Sequence, residues 1–136
     1  MVAVPKPEKK KKEKKKKLKS IKTLYAKAKK VFNKFIRDRD AVELQGKCCT
    51  CGKPGNQAGH FVKSTHKKLE FHTKNVHLQC THCNCYLDGN EAEYSKFIIE
   101  KYSIEYFHWL LSQKGTWKQT VPERREYLEY IIAAYE

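Results

Sequence analysis

The sequence has no long apolar run, and no stretch approaches the ~18 consecutive apolar residues that a membrane-spanning helix needs. Its N-terminal end carries many lysines but lacks the apolar core of a secretory signal peptide. We therefore expect a cytoplasmic protein that does not enter a membrane. In a reducing compartment, six cysteines in 136 residues favour metal binding or catalysis over disulfide bonds.

Acidic residues are scarce at the N-terminal end of the chain. Residues 1–30 contain fourteen Lys and Arg but only Glu8 and Glu13, a net charge of +12 out of the total of +14. Residues 1–17 form a low-complexity lysine segment with Pro5 and Pro7 and little apolar area to bury. This composition predicts a disordered basic arm, because such a segment repels itself and cannot form a core.

The rest of the chain is long enough for one domain. Apolar residues recur at the three- and four-residue spacing of a helix, which predicts an N-terminal helix within 18–46. Glycines and short alternating runs such as "LEFH" predict a small hairpin between Lys47 and Asn75. Helical patterns return after a pause at 88–90, and two helices are expected over 103–136. Together these patterns predict an α+β fold with flanking N- and C-terminal helices.

The cysteines form two C-x-x-C knuckles, and 28 residues lie between them. Each knuckle brings two thiolates to one ion from a tight turn, and four thiolates suit tetrahedral Zn²⁺. The predicted zinc ligands are Cys48, Cys51, Cys80 and Cys83. A redox site would need only one such pair and a different layout of strand and helix. Cys49 and Cys85 flank the knuckles, and we interpret them as free thiols although they could exchange with the ligands.

His60, Asn75 and Asn84 follow one another between and just after the knuckles, in an order that resembles the HNH, or His-Me finger, nucleases. The segments "FNKFIRDRD", "AGHF", "LEFHTKNVHLQCTHCN" and "GNEAEY" together resemble the phage NinG, or Rap, recombination nucleases over roughly residues 24–102. This resemblance implies a zinc-bound ββα-metal core over residues 47–102. It also implies cleavage of branched recombination DNA such as Holliday junctions or D-loops.

Within that resemblance, His60 would be the general base, Asn75 would orient the loop or the imidazole, and Asn84 would bind Mg²⁺ or Mn²⁺ through its amide oxygen. Many members have an aspartate before the base as a second metal ligand, whereas this chain has Gly59. Glu93, Asp88 or Asn90 could complete the site, or water could fill the remaining positions.

Basic residues provide the expected contacts with DNA. The lysine arm would bind phosphates without choosing a sequence, and Lys63, Lys67, Lys68 and Lys74 could continue that track toward the site. The preferred substrate would be branched or partly single-stranded DNA. The apolar terminal segment "YLEYIIAAYE" also suggests a homodimer that could address two equivalent points of a four-way junction.

Two other functions fit the same residues. A non-enzymatic zinc module that binds nucleic acid would need the cysteines but not His60. A sequence-recognising HNH enzyme of the restriction or homing type would need a recognition element, and the sequence shows none. The resemblance favours a metal-dependent endonuclease, whereas composition and spacing by themselves imply only a protein that binds nucleic acid.

Deleting residues 1–17 tests the role of the basic arm. We expect weaker DNA binding and a plot of log K against log salt that is flatter by several units, since each neutralised phosphate contributes about −0.9 to the slope. Binding assays on duplex DNA across a salt series measure both quantities. An unchanged slope would limit the arm to solubility or targeting.

Overall fold

The computed structural model describes residues 18–136, so the predicted arm over 1–17 lies outside the described residues. The described elements are, in chain order, α1 (Ile21–Glu43), β1 (Gln57–His60), β2 (Val76–Gln79), α2 (Glu91–Lys101), α3 (Ile104–Ser112) and α4 (Val121–Tyr135). A 3₁₀ turn over Thr73–Asn75 leads into β2, and a π-helical turn over His82–Tyr86 follows it. Helices with a small sheet confirm the predicted α+β class. Among the described helices, none is long and apolar enough to cross a membrane.

Helix α1 begins three residues later than the predicted segment, because Ser20 caps it. The Ser20 hydroxyl accepts a hydrogen bond from the Thr23 amide at 3.1 Å, which leaves Leu18 exposed before the helix. The residues that α1 buries recur every four positions: Leu24, Ala28, Phe32, Ile36 and Asp40. This stripe forms one side of the larger hydrophobic cluster.

Helix α4 supplies the other side of that cluster. Its Leu128, Ile131 and Ile132 are buried against α1, and Tyr127 and Tyr135 pack around them. These are the apolar residues that suggested a homodimer. The same chain already covers Leu128, Ile131 and Ile132, so α4 closes the core over α1. The homodimer stays a prediction.

The sheet contains two antiparallel strands, with Gln57 opposite Gln79 and His60 opposite Val76. A small hairpin was predicted between Lys47 and Asn75, but only β1 lies within that range, because β2 begins at Val76. The segment "LEFH" was wrongly assigned to the hairpin. Residues 69–72 form a turn in which Leu69, Glu70 and Phe71 are all buried. The alternation of apolar and polar residues in this segment was misleading, because the Glu70 side chain does not face solvent. Its carboxylate is buried, where it bonds to Tyr25 and Lys67.

Buried polar contacts attach the sheet to α1. The Asp40 carboxylate, which is fully buried, accepts a hydrogen bond from the Leu78 amide at 2.8 Å. Its neighbour Arg39 pairs with it and donates at 2.8 Å to the carbonyl oxygens of Thr73 and Val76. These charge-assisted bonds fix the position of β2 on the helix.

A second cluster lies on the side of the sheet that faces α2 and α3, and His77 of β2 is buried among its aromatic rings. The His77 ring nitrogens hydrogen-bond to the hydroxyls of Tyr94 at 3.2 Å and Tyr102 at 2.7 Å. Burial, with smaller effects of Arg39 and Lys101, lowers the pKa of His77 to about 2. The folded protein therefore holds this imidazole neutral.

The variant His77→Gln should make stability less dependent on pH. The unfolded His77 has an ordinary pKa near 6.5, so between about pH 6.5 and the folded pKa only the unfolded chain gains the proton. Each pH unit below 6.5 should then remove up to about 1.4 kcal/mol of the wild-type free energy of unfolding that the variant retains. Urea unfolding at pH 7.5, 6.5 and 5.5 measures the difference, with exposed His82→Gln as the control. Parallel curves for the wild type and His77→Gln would contradict the assignment.

Candidate functional site

Four cysteines come together where the segment that follows α1 meets the start of the π-helical turn, and each of the two contributes a pair. The sulfur atoms of Cys48, Cys51, Cys80 and Cys83 lie within 4.8 Å of one another. Gly52 has φ +75°, which allows the first knuckle to turn sharply, and its amide donates to the Cys48 carbonyl at 2.9 Å. Four thiolates in this arrangement could hold one zinc ion, as predicted from the spacing.

The two remaining cysteines are not part of this group. Cys49 is partly buried, and burial raises the pKa of its thiol above the ordinary value. Cys85 is exposed, and its sulfur lies 3.5 Å from the Gln57 amide oxygen. Their placement agrees with the interpretation of both as free thiols.

His60 ends β1, and its ring is fixed by the loop that connects the strands. The Nε2 atom lies 2.8 Å from the carbonyl oxygen of Glu70. Because a carbonyl can only accept, Nε2 carries the proton and Nδ1 holds a lone pair, for which no partner exists among the described residues. Burial lowers the pKa of His60 below its ordinary value. The geometry therefore favours a neutral imidazole whose Nδ1 can accept a proton.

Asn75 holds the connecting loop and forms no hydrogen bond with the His60 ring. It is fully buried, and its Oδ1 accepts from the Val62 amide at 2.8 Å. Its Nδ2 donates to the carbonyl oxygens of Val62 at 3.0 Å and Leu69 at 3.1 Å. Since residue 70 supplies the carbonyl that orients His60, Asn75 positions the imidazole indirectly.

A cleft of about 510 Å³ brings two of the three predicted catalytic residues together. It is lined by Ala58, His60, Lys63, Ser64, Thr65, Asn84 and Asp88. Asn84 comes from the π-helical turn directly after the second cysteine knuckle. The cysteine group and the candidate cleft thus share a short segment of chain.

Two side chains in the cleft have oxygen atoms that could bind a hard divalent cation. The Asn84 Nδ2 donates to the Gln57 Oε1 at 2.9 Å, and its Oδ1 has no hydrogen-bond partner among the described residues. Asp88 is exposed, and its Oδ1 lies 3.0 Å from the Lys63 ammonium. An amide and a carboxylate oxygen are ligand types that Mg²⁺ and Mn²⁺ accept.

Neither the position of Gly59 nor Glu93 contributes a side chain to this cleft. A Cβ atom at Gly59 would lie 1.8 Å from the Oε1 atom of Gln79, whose side chain fills the space, so no side chain fits there. Glu93 does not line the cleft, and its carboxylate pairs with Lys96 at 3.1 Å on α2. Asp88 is therefore the better placed of the carboxylates that were proposed as a second ligand.

The four lysines expected to contact DNA have different environments. Only Lys63 lines the cleft, where it pairs with Asp88. Lys67 bonds to Tyr25 at 2.8 Å and to Glu70 at 3.0 Å, and the Lys74 ammonium lies 4.8 Å from the Tyr106 ring centroid. The Lys68 side chain lies near Gly115. Of the four, only Lys63 is thus part of the cleft that contains both His60 and Asn84.

Several residues beside His60 were missed by sequence reasoning. A smaller cleft of about 240 Å³ is lined by Tyr25, Lys29, Asn33, Ala58, His60, Ser64, Glu70 and Phe71. The α1 residues in this set carried no signal beyond their helical spacing. The Glu70 carbonyl could not be foreseen, because a backbone contact leaves no trace in residue type.

Comparison with known proteins gives consistent matches. A family model described as "Bacteriophage Lambda NinG protein" matches residues 4–135. The chain is 35% identical over 81 residues to Protein ninG of Salmonella phage P22, covering 57% of this chain and 38% of that protein. It is 31% identical over 102 residues to Protein ninG of Escherichia phage 933W, covering 72% of this chain and 49% of that protein.

Protein ninG of Escherichia phage lambda is 30% identical over 100 residues, which cover 71% of this chain and 48% of that protein. The chain thus spans half or less of the length of these relatives. No solved structure shows a significant match to it.

Replacing one cysteine of the group tests the metal centre. We expect the purified protein to contain about one Zn²⁺ per chain, and Cys51→Ser or Cys80→Ser to lose it. Residues 47–102 should then unfold, because a structural zinc site contributes on the order of 10 kcal/mol. Elemental analysis and circular dichroism measure both effects, and exposed Cys85→Ser is the matched control. Wild-type protein without zinc, or a folded Cys51→Ser variant, would overturn the assignment.

Proposed function

This chain belongs to the NinG family of phage proteins, and we propose from that premise that it is a metal-dependent endonuclease. Its substrate would be branched recombination DNA, namely a Holliday junction, a D-loop or a fork. The observation that carries the proposal is the His60 ring, which is held by the Glu70 carbonyl in the same cleft as the Asn84 amide oxygen. Strands β1 and β2 and the turn that bears Asn84 would form the ββα-metal unit that the sequence resemblance implies.

In the proposed reaction, His60 acts as the general base. Its Nδ1 accepts a proton from a water molecule, whose oxygen attacks the phosphorus of the scissile phosphodiester while the bond from phosphorus to the leaving oxygen breaks. The hydrogen bond from Nε2 to Glu70 stabilises the imidazolium that forms and keeps the ring in place. Burial supports this role because it keeps the imidazole unprotonated before the reaction.

Asn84 and Asp88 would hold the catalytic Mg²⁺ or Mn²⁺ through their oxygen atoms. When bound, the cation stabilises negative charge on the leaving oxygen. Gln57 orients the Asn84 amide by accepting from its nitrogen, so that the oxygen remains available. Lys63, which pairs with Asp88 in the structure, would then form a charge-assisted hydrogen bond with a substrate phosphate.

The proposed partner is DNA, and the proposed location is the cytoplasm of the host cell. The chain covers half or less of the length of its relatives, so we attribute the activity of a whole NinG protein to it only by proposal. A zinc-stabilised module that only binds nucleic acid is the competing function, because it needs the cysteine group but not His60.

The variant His60→Ala separates an enzyme from a binding module. Loss of a general base typically lowers the rate by ~10²- to 10⁴-fold and leaves contacts with the ground state intact. We therefore expect cleavage of a labelled four-way junction to collapse while zinc content, fold and junction affinity stay near wild type. His108→Ala, at an exposed position of α3, is the control. Cutting by His60→Ala at the wild-type rate would contradict the active site.

The variant Asn84→Ala should respond to metal concentration in a different way. If Asn84 is a ligand, raising Mg²⁺ or Mn²⁺ should restore part of the cleavage rate, since the ion is bound less tightly but its chemistry remains. The same increase cannot replace the missing base in His60→Ala. A metal titration of both variants on the same junction measures this. If the wild type binds junctions but cuts none of the DNA forms, the binding-module function applies.

A further inference from the structure

A groove passes through the candidate active site and reaches α1. The larger cleft, which contains Asn84, and the smaller cleft, which contains Lys29, are both lined by Ala58, His60 and Ser64. Because three residues border both clefts, the two clefts adjoin at His60, and we refer to them together as the groove. One arm of the groove leads to the proposed divalent cation, and the other leads to α1.

Three residues of α1 form the wall of the second arm. Tyr25, Lys29 and Asn33 are spaced four residues apart, so they lie above one another on one face of the helix. Lys30, which follows Lys29 in the chain, lines a different cleft with Ala26, Lys27 and Lys34. One particular face of α1 therefore forms this wall of the groove.

Positive charge is concentrated at this wall. Three cationic groups face the Tyr25 ring, with Lys29 4.4 Å, Lys67 4.9 Å and Arg124 5.4 Å from its centroid. The buried Glu70 carboxylate lies 3.0 Å from Lys67 and offsets that charge. In the part of the chain that the structure describes, Lys29 and Arg124 form no ion pair. An excess of positive charge therefore remains beside the groove.

We propose that this arm of the groove binds the sugar-phosphate backbone of DNA next to the phosphodiester that is cut. The Lys29 ammonium and the Asn33 amide would contact a phosphate, and Arg124 would strengthen the local positive potential. Such contacts set the position of DNA without reading bases, which suits an enzyme that selects a branched shape. This inference rests on the proposed function, because the groove is aligned on His60.

A pair of neighbouring lysines provides the test. Lys29→Ala and Lys30→Ala each remove one exposed lysine charge from α1, but only Lys29 lines the groove. Binding to a labelled four-way junction is measured over a salt series with no added Mg²⁺ or Mn²⁺, so that cleavage does not enter the result. We expect Lys29→Ala to weaken binding about tenfold, the loss typical of one charge-assisted hydrogen bond. Its plot of log K against log salt should also flatten by about 0.9.

Lys30→Ala should change the affinity less than twofold, and Asn33→Ala should weaken binding without changing the slope, since a neutral amide releases no counterion. Thermal unfolding of each variant confirms that the fold is retained. Equal affinities and slopes for Lys29→Ala and Lys30→Ala would overturn the proposal. That outcome is distinct from failure of the proposed function, which is measured by cleavage in the His60→Ala variant.

Discussion

The group of four cysteine sulfurs within 4.8 Å of one another is the constraint on which the centre of this protein depends. The sheet has only two strands of four residues, and a two-stranded sheet is marginally stable by itself. The cysteine knuckles lie on either side of this sheet in the chain, and the second leads directly into the turn that carries Asn84. A zinc ion at the sulfurs would therefore stabilise the sheet and position the candidate cleft together.

Buried polar side chains position β2 and the loop between the strands. Asp40 and Arg39 fix β2 on α1, and Asn75 holds the irregular loop between the strands. Leaving one such buried group without its partner costs roughly 1–3 kcal/mol, so these bonds define one loop conformation. The consequence is chemical, because the same loop presents the Glu70 carbonyl that determines which nitrogen of His60 is free.

The number of lysines near the candidate site does not show where unpaired positive charge lies. Lys63 and Lys67 are paired with Asp88 and Glu70, whereas Lys29 of α1 faces the groove without an ion pair among the described residues. A lysine near a site in sequence is thus not equivalent to one near it in space. The proposed path of DNA therefore includes the face of α1 that bears Lys29 as well as Lys63 of the loop between the strands.

The sequence by itself determined the grouping of the four cysteines that could hold zinc and the buried stripe of α1, because these depend on the spacing of residues along the chain. It also placed His60 and Asn84 in one candidate site through motif resemblance. Only the tertiary structure decided that residues 69–72 form a turn, that Gln79 fills the space beside Gly59, and that α4 covers α1. Those features arise from contacts between segments far apart in the chain, and no local pattern of residue types encodes such contacts.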